Sequence, residues 1–388
     1  MKEIGVYIHI PFCRQKCYYC DFCSLVSNED IYKQYINCLL SEIENYKIKL
    51  INLPHEWHEE KLIVKTIYIG GGTPSIINDE YIVDIIRKIK EKFTVDENAE
   101  ITIEVNPGTI TEKKLHSYYD AGINRISIGL QTTNDKLLKV IGRIHNFNEF
   151  ENAYKLAKSV GFSNINVDLM IGLPTQTIVD VEQSLNQIIN KNPKHISVYS
   201  LILEENTILE KKIRSGELVL PNENDERAMY WKVKNILEKN GYSQYEISNF
   251  SLKGYESKHN TDCWNQKEYL GFGLAAHSYY NNIRFSNLCN LDDYLGNIKK
   301  EDFCSNIQIH EVQKSEDKMN EYVILKLRTM QGVNFQIFKK IFKIDFMKKY
   351  KSKVEKLVKQ GLIEISDYGV RLSIKGIDFA NVVWCEFV

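Results

Sequence analysis

Six short apolar or β-branched runs alternate with longer amphipathic stretches, and no other feature of the sequence narrows the fold so far. The runs are Gly5 to His9, Thr66 to Ile69, Ile101 to Val105, Arg125 to Gly129, Ile165 to Ile171 and His195 to Ser200. Between them the spacing predicts helices over Glu29 to Leu50, Asp79 to Lys92, Thr111 to Tyr119, Asn134 to Val160 with a break near Gly142, and Val179 to Asn190. Asn78, Thr111, Asn134 and Thr177 offer N-cap side chains, and Gly122 and Gly161 follow helix ends. Parallel strands need helical crossovers of this kind, and such crossovers are right-handed. The expectation is an α/β protein built on an open or closed parallel β/α barrel. With 388 residues the chain also has room for a smaller second unit.

The unusual residues fall at one end of that barrel. The loop after the first strand carries Cys13, Cys17 and Cys20 at C-x3-C-x2-C spacing, and Gly70-Gly71-Gly72-Thr73-Pro74 follows the second. Glu104-Val105-Asn106-Pro107 ends the third and Gln131 follows the fourth. Asp168 lies in the fifth ahead of Gly172-Leu173-Pro174, and Tyr199-Ser200 closes the sixth. Parallel barrels carry their sites on this C-terminal rim.

Three thiolates on one tight loop can hold three irons of a 4Fe-4S cubane, leaving the fourth iron open to a chelating ligand. The alternative is structural zinc with Cys23 or His9 as fourth ligand, although the cysteine pairs of such sites usually come twice. The glycine run admits close approach of backbone to a ligand or is a plain turn; no Gly-Lys-Ser/Thr makes it a Walker loop. Glu104 suits a ligand amine or ribose, or is an ordinary solvated carboxylate. Gln131 and Asp168 are polar groups at the ends of or inside apolar runs and need partners, of which a polar cofactor is one. Arg143 pairs with a ligand carboxylate or with a neighbouring Asp.

Lys and Arg number 50 against 51 Asp and Glu, so net charge draws the chain to neither nucleic acid nor anionic lipid. No apolar run approaches the length of a membrane span, and Tyr7 opens the first motif where a leader would stand. A cytoplasmic protein without an integral membrane segment is expected. Nine cysteines, three of them clustered, agree with a reducing compartment. Beyond the sixth strand the sequence predicts a helix over Asp225 to Asn240, a strand over Tyr242 to Ile247 and a loop-dominated stretch from Ser248 to Ser278. Helices over Ser315 to Met330, Phe335 to Phe342 and Met347 to Gln360 then precede strands Leu362 to Ile365 and Val370 to Leu372. That order suggests a winged-helix-like unit, serving as a packing or lid module rather than a DNA reader. The expected divisions are a β/α core over 1–240, an extension over 241–305 and a C-terminal domain over 306–388.

Together these segments resemble the radical S-adenosylmethionine (SAM) superfamily, in the branch of oxygen-independent coproporphyrinogen III oxidase and its paralogue, the heme chaperone HemW. The motifs are Tyr-Ile-His-Ile-Pro-Phe-Cys from Tyr7, Gly-Gly-Gly-Thr-Pro from Gly70, Glu-Val-Asn-Pro-Gly from Glu104 and Gly-Arg-Ile-His from Gly142. Asn-Val-Asp-Leu-Met-Ile-Gly-Leu-Pro from Asn166, His-Ile-Ser-Val-Tyr-Ser-Leu from His195 and Gln-Tyr-Glu-Ile-Ser-Asn-Phe from Gln244 complete them. The resemblance implies a radical SAM partial (β/α)6 barrel with a small C-terminal helical, winged-helix-like domain. It implies that Cys13, Cys17 and Cys20 hold a 4Fe-4S cluster, while Tyr7, Tyr19, Gly71, Gly72, Thr73, Glu104, Gln131, Arg143 and Asp168 line SAM sites.

Two departures separate the paralogues. The oxidase resembles this chain but has a fourth cysteine two residues past the third and a long extension ahead of the tyrosine; here Phe22 takes that position and six residues precede Tyr7. His259-Asn260-Thr261-Asp262-Cys263-Trp264 matches the chaperone's His-Asn-x-x-Tyr-Trp heme motif except at Cys263. His259 is then an axial heme ligand with Trp264 against the macrocycle, or a loop histidine in ordinary hydrogen bonds, and a Cys263 thiolate is a competing ligand. The implied function is a chaperone that binds heme and delivers it to heme proteins, respiratory and membrane-associated ones among them. The rivals are oxidative decarboxylation of coproporphyrinogen III and radical chemistry on an unrelated substrate; no residue is assigned a catalytic role.

Overall fold

The computed structural model describes residues 1–54 and 60–388. The six expected strands are β1 (Lys2–Ile10), β2 (Leu62–Gly71), β3 (Thr94–Val105), β4 (Arg125–Gln131), β5 (Asn164–Ile171) and β6 (His195–Ser200). They lie side by side in sequence order, every neighbouring pair parallel, as a partial (β/α)6 barrel. Helices cross between them with their apolar stripes on the sheet. Helix Asp79–Lys92 buries Ile82, Ile85, Ile86 and Ile89, each at or near zero exposure, and each such side chain contributes roughly 1.5–3 kcal/mol of transfer free energy. Asn78, Thr111, Asn134 and Thr177 cap helices as expected, and Gly161 ends helix Phe147–Val160 in the left-handed region at φ 119°.

The next strands are β7 (Ser243–Gln244), β8 (Asn249–Ser251), β9 (Tyr269–Phe272), β10 (His277–Tyr280), β11 (Ile283–Asn287) and β12 (Ile307–Val312). β8 pairs antiparallel with β6 and β9 pairs parallel with β1, so both edges of the six-stranded run are covered. One hydrophobic core runs from Ile4 to Phe303. A second core, from Met319 to Phe387, belongs to helices Ser315–Leu327, Phe335–Phe342 and Phe346–Lys359 with the small sheet of β13 (Val333–Asn334), β14 (Ile363–Ile365) and β15 (Gly369–Leu372). This is the winged-helix-like unit. It docks through Trp231 Nε1 donating to Asp378 Oδ1 at 3.0 Å and through the Arg284–Glu321 ion pair.

Three local expectations change. The first predicted helix breaks at Asn45 into Glu29–Glu44 and Tyr46–Ile51. The predicted strand over Tyr242 to Ile247 shortens to the two residues of β7. The stretch expected as loop holds β8, helix Lys258–Trp264, β9 and the start of β10. These pieces are three to seven residues long, too short for a period to show, and tertiary pairing creates them. Among the described residues no helix is long and apolar enough to cross a membrane.

Candidate cofactor site

Parallel strands covered by helices normally read as continuous apolar runs, but here the alternate residues of β3 to β6 are polar with the exceptions of Gly129 and Met170. Tyr68 is in register with Thr102, and Thr102 with Arg125. Two residues farther along, Glu104 pairs with Ser127, Ser127 with Asn166 and Asn166 with His195. The pleat sends these side chains to one face while their apolar neighbours meet the helices. Ser127 Oγ donates to Asp168 at 3.0 Å, Asn166 Nδ2 donates to Asp168 at 2.7 Å, and His195 Nδ1 meets Asn166 Oδ1 at 2.6 Å. The concave side of the barrel is therefore a polar wall under a cavity of about 550 Å³, within the usual range for cofactor sites.

The cysteine loop forms the opposite wall. Leu25 and Cys13 are tied by the Cys13 N to Leu25 O bond of 2.9 Å, and Tyr18 N donates to Ile141 O at 3.0 Å. The loop before helix Phe147–Val160 receives it: Gly142 has φ 73°, and a Cβ there would stand 2.6 Å from the Tyr18 ring. The glycine run packs from the other side. A Cβ on Gly71, at φ 108°, would meet the His9 ring at 2.5 Å, and one on Gly72 would meet Phe12 O at 2.7 Å. Of the two readings of this run, ligand approach or plain turn, neither names the closest obstacles, which are the His9 ring on β1 and the Phe12 carbonyl just past it.

Cys13, Cys17, Cys20, Tyr19, Gly71, Gly72, Thr73, Glu104, Gln131, Arg143 and Asp168 all line this cavity. Thr73 Oγ1 donates to Cys13 Sγ and Arg143 Nη1 to Cys17 Sγ, each at 3.5 Å. Burial pushes the Cys13 and Cys20 thiols up, so thiolates here need a cation, which bound iron supplies. Hydrogen-bond donors aimed at sulfur fit that role. Neither fourth ligand of the zinc alternative turns inward. His9 engages Tyr7 OH through Nδ1 and Cys23 O through Nε2, both at 2.9 Å, and Cys23 Sγ points to Cys289 O at 3.6 Å. Three thiols on one cavity wall, with both candidate fourth ligands turned away, suit an iron–sulfur cluster rather than a single zinc ion, for which no ligand group closes among the described residues. Phe22, 65% exposed, stands among the lining residues.

Glu104 accepts from Tyr68 OH at 2.7 Å and from Gly71 N at 3.2 Å. Desolvation and the nearby Asp168 outweigh those bonds and raise its pKa to about 7. Burial likewise raises Asp168 against the bonds from Asn166 and Ser127, and burial raises Tyr19 despite adjacent Arg143. Gln131 sits at a bulge in β4 with φ 75°, a left-handed conformation that a non-glycine residue holds at a cost. These are groups suited to bind and orient a zwitterionic, hydroxyl-rich ligand beside the three cysteines.

Two expected site residues lie elsewhere. Tyr7 stands behind the lining, against His9 and Tyr68. His259, 8% exposed, lies on the covered helix Lys258–Trp264: its Nδ1 meets Thr66 Oγ1 at 2.9 Å and its ring stacks on Tyr68 at 5.2 Å. Burial, then Arg125, lowers its pKa to about 4. As folded, its Nδ1 is engaged by Thr66 and the residue is not among those lining the cavity. The Cys263 thiol is pushed up to about 12 by burial and by Asp262, which disfavours the thiolate alternative. Tyr68, Arg125, Ser127 and Asn166 line the cavity without having been singled out. Their signal was the polar alternation itself: Arg125-x-Ser127, Asn164-x-Asn166-x-Asp168, His195-x-Ser197-x-Tyr199.

Residues 7–188 match the family described as the Radical SAM superfamily, and residues 314–379 match the HemN C-terminal domain. The chain is 35% identical over 387 residues to the protein named heme chaperone HemW from Lactococcus lactis subsp. lactis (strain IL1403), covering 100% of this chain and 98% of that one. It is also 35% identical to the heme chaperone HemW of Bacillus subtilis (strain 168), with 99% of each covered. Among solved structures, coproporphyrinogen III oxidase (HemN) from Escherichia coli, described as a radical SAM enzyme, superimposes with a TM-score of 0.84 at 22% identity, covering 100% of this chain and 90% of that one. That last likeness establishes the shared fold.

Proposed function

The chain belongs to the HemW family of the radical SAM superfamily, and from that membership we propose that it is a heme chaperone which holds a 4Fe-4S cluster on Cys13, Cys17 and Cys20, binds SAM beside it, and delivers heme to heme proteins. The observation that carries the cluster and SAM assignment is the convergence of three sulfurs, their Thr73 and Arg143 donors, Glu104, Gln131 and Asp168 on one cavity. When bound, a reduced cluster supplies an electron to the SAM sulfonium. The protein's own part is to orient: Glu104 and Asp168 accept from ligand N–H and O–H groups, Gln131 offers its amide at the bulge, and Arg143 fixes the Cys17 sulfur. Tyr7 then supports the site through His9 and Tyr68.

Heme enters by a different route. The Thr66 bond to Nδ1 leaves Nε2 of His259 as the nitrogen for iron, and because the ring is buried against Tyr68, heme reaches it when helix Lys258–Trp264 loosens from the barrel. The full chain, reconstituted anaerobically, is expected to bind heme and to leave coproporphyrinogen III unoxidised when supplied with SAM and reductant. His259→Ala should shift the Soret band and weaken binding, with Cys263→Ser as control. A spectrum altered only by Cys263→Ser makes the ligand a thiolate, and steady protoporphyrinogen formation sinks the chaperone reading.

A further inference from the structure

Among the described residues two cations are fully buried, Lys49 and Arg125. Lys49, 4% exposed, donates to Glu42 and to Asn287, each at 2.8 Å, and to Gly271 O at 3.3 Å. Arg143, less deeply buried, donates through its two terminal nitrogens to Gly129 O and to the Cys17 sulfur and leaves only Nε without a partner. Arg125 has no such partners on any of its three nitrogens. It is only 2% exposed and lines the cavity, yet among the described residues its guanidinium has no hydrogen-bond or ion-pair partner, and its Nε is a buried orphan. Thr102 Oγ1, next to it in register on β3, is a second buried polar atom without a partner.

The acidic groups near Arg125 feel its charge but form no ion pair or hydrogen bond with it. Glu104 takes Tyr68 OH and Gly71 N, and Asp168 takes Ser127 and Asn166. The remaining neighbours, His195, His259, Tyr68 and Tyr245, bring no anion: burial holds both imidazoles in the neutral form and both phenols protonated. A guanidinium out of bulk water needs a paired charge, and its planar fork matches a carboxylate. Its position is also informative. Arg125 opens β4, one row deeper than Glu104 and Ser127, so an anion held there lies at the floor of the cavity rather than at the cysteine loop.

We propose that Arg125 anchors an anion subsite at the floor of the cavity and takes a carboxylate of the bound ligand, either a tetrapyrrole propionate or the carboxylate of a SAM molecule. This rests on the cofactor reading above and adds to it a binding residue and the ligand group that residue holds.

The test uses the full chain, reconstituted anaerobically, as wild type, Arg125→Gln and Arg125→Lys. Heme and heme dimethyl ester are titrated by the Soret band and labelled SAM by equilibrium dialysis, with thermal midpoints recorded for each protein. Arg125→Gln should weaken one carboxylate ligand roughly tenfold or more, with Arg125→Lys intermediate because a point charge replaces the fork. If a propionate is the partner, wild type binds the dimethyl ester as weakly as Arg125→Gln binds heme, and SAM affinity does not move. If SAM is the partner, its affinity falls in Arg125→Gln while heme and its ester bind alike. Should Arg125→Gln fail to fold, Arg125→Lys carries the same comparison with a smaller, several-fold loss. Folded variants that bind heme and SAM as wild type does overturn the subsite. A wild type that binds SAM but no heme sinks the chaperone reading alone and leaves the SAM arm to decide Arg125; one that binds neither overturns both.

Discussion

A thiol held against a carbonyl oxygen is poorly placed to ligate metal, and that is the situation of Cys23 beside Cys289 O. Cys13→Ser, Cys17→Ser and Cys20→Ser should each lose most of the iron and brown absorbance after reconstitution, whereas Cys23→Ser should keep both; iron analysis with visible spectra decides. Glu104 gives a pH test. Its carboxyl titrates at 4.5 in the ordinary state and at about 7 in the fold. Below 4.5 the proton is present in folded and unfolded chains alike; between 4.5 and about 7 only the folded chain retains it. The stability it contributes is therefore fully present below 4.5 and is lost as pH rises through about 7. In urea denaturation, wild type should lose about 1–3 kcal/mol relative to Glu104→Gln between pH 4.5 and pH 8. An ammonium-bearing ligand needs the ionised form, so SAM affinity should rise from pH 6 to pH 8 in wild type and stay flat in Glu104→Gln. A flat wild-type profile would remove Glu104 from ligand contact.

At the scale of elements, the site is made by fitting two glycine-bearing loops around a third. Gly142→Ala places a methyl group against the Tyr18 ring at a φ that disfavours it, and should cost about 1–3 kcal/mol while loosening the cysteine loop. Calorimetry and iron retention together test this, since a lower midpoint with full iron content would mean that the loop does not depend on the glycine. The alternation of strands and helices was legible because each element is long enough to show its period and four helix starts carry cap residues. The rim was legible because parallel connection forces all those strand ends to one side. Gly71 and Gly72 were legible as constrained positions, but what constrains them, His9 on the neighbouring strand β1 and Phe12 O just past it, depends on the pairing of β1 with β2, which local sequence does not describe. Arg125 went unnoticed because it opens a strand, and its depth in the cavity depends on the register of β3, β4 and β5. The helix Lys258–Trp264 was missed for a related reason: seven residues make too little periodic pattern, and its place inside the barrel is fixed by packing on β2.

Across the whole molecule, one cation joins the barrel floor to the C-terminal unit. Arg328, just past helix Ser315–Leu327, lies 4.8 Å from the Trp264 ring and 4.5 Å from the Trp384 ring. Trp264 ends the helix that bears His259, and Trp384 belongs to helix Ala380–Cys385 of the C-terminal unit. Lys326 Nζ adds a 2.8 Å bond to Asn265 Oδ1 at the same junction. Desolvated cation–aromatic contacts contribute about 1–2 kcal/mol, enough to bias a short helix between seated and withdrawn positions. Arg328→Met keeps the aliphatic packing and removes the charge. Amide hydrogen exchange over residues 258–264 should then speed up by roughly five- to thirtyfold, corresponding to that loss, with β1–β6 unchanged. If His259 is reached through this helix, heme uptake should accelerate in parallel in stopped-flow Soret measurements. Faster exchange without faster uptake would place heme ligation away from His259, and unchanged exchange would mean that Arg328 does not hold the helix in place.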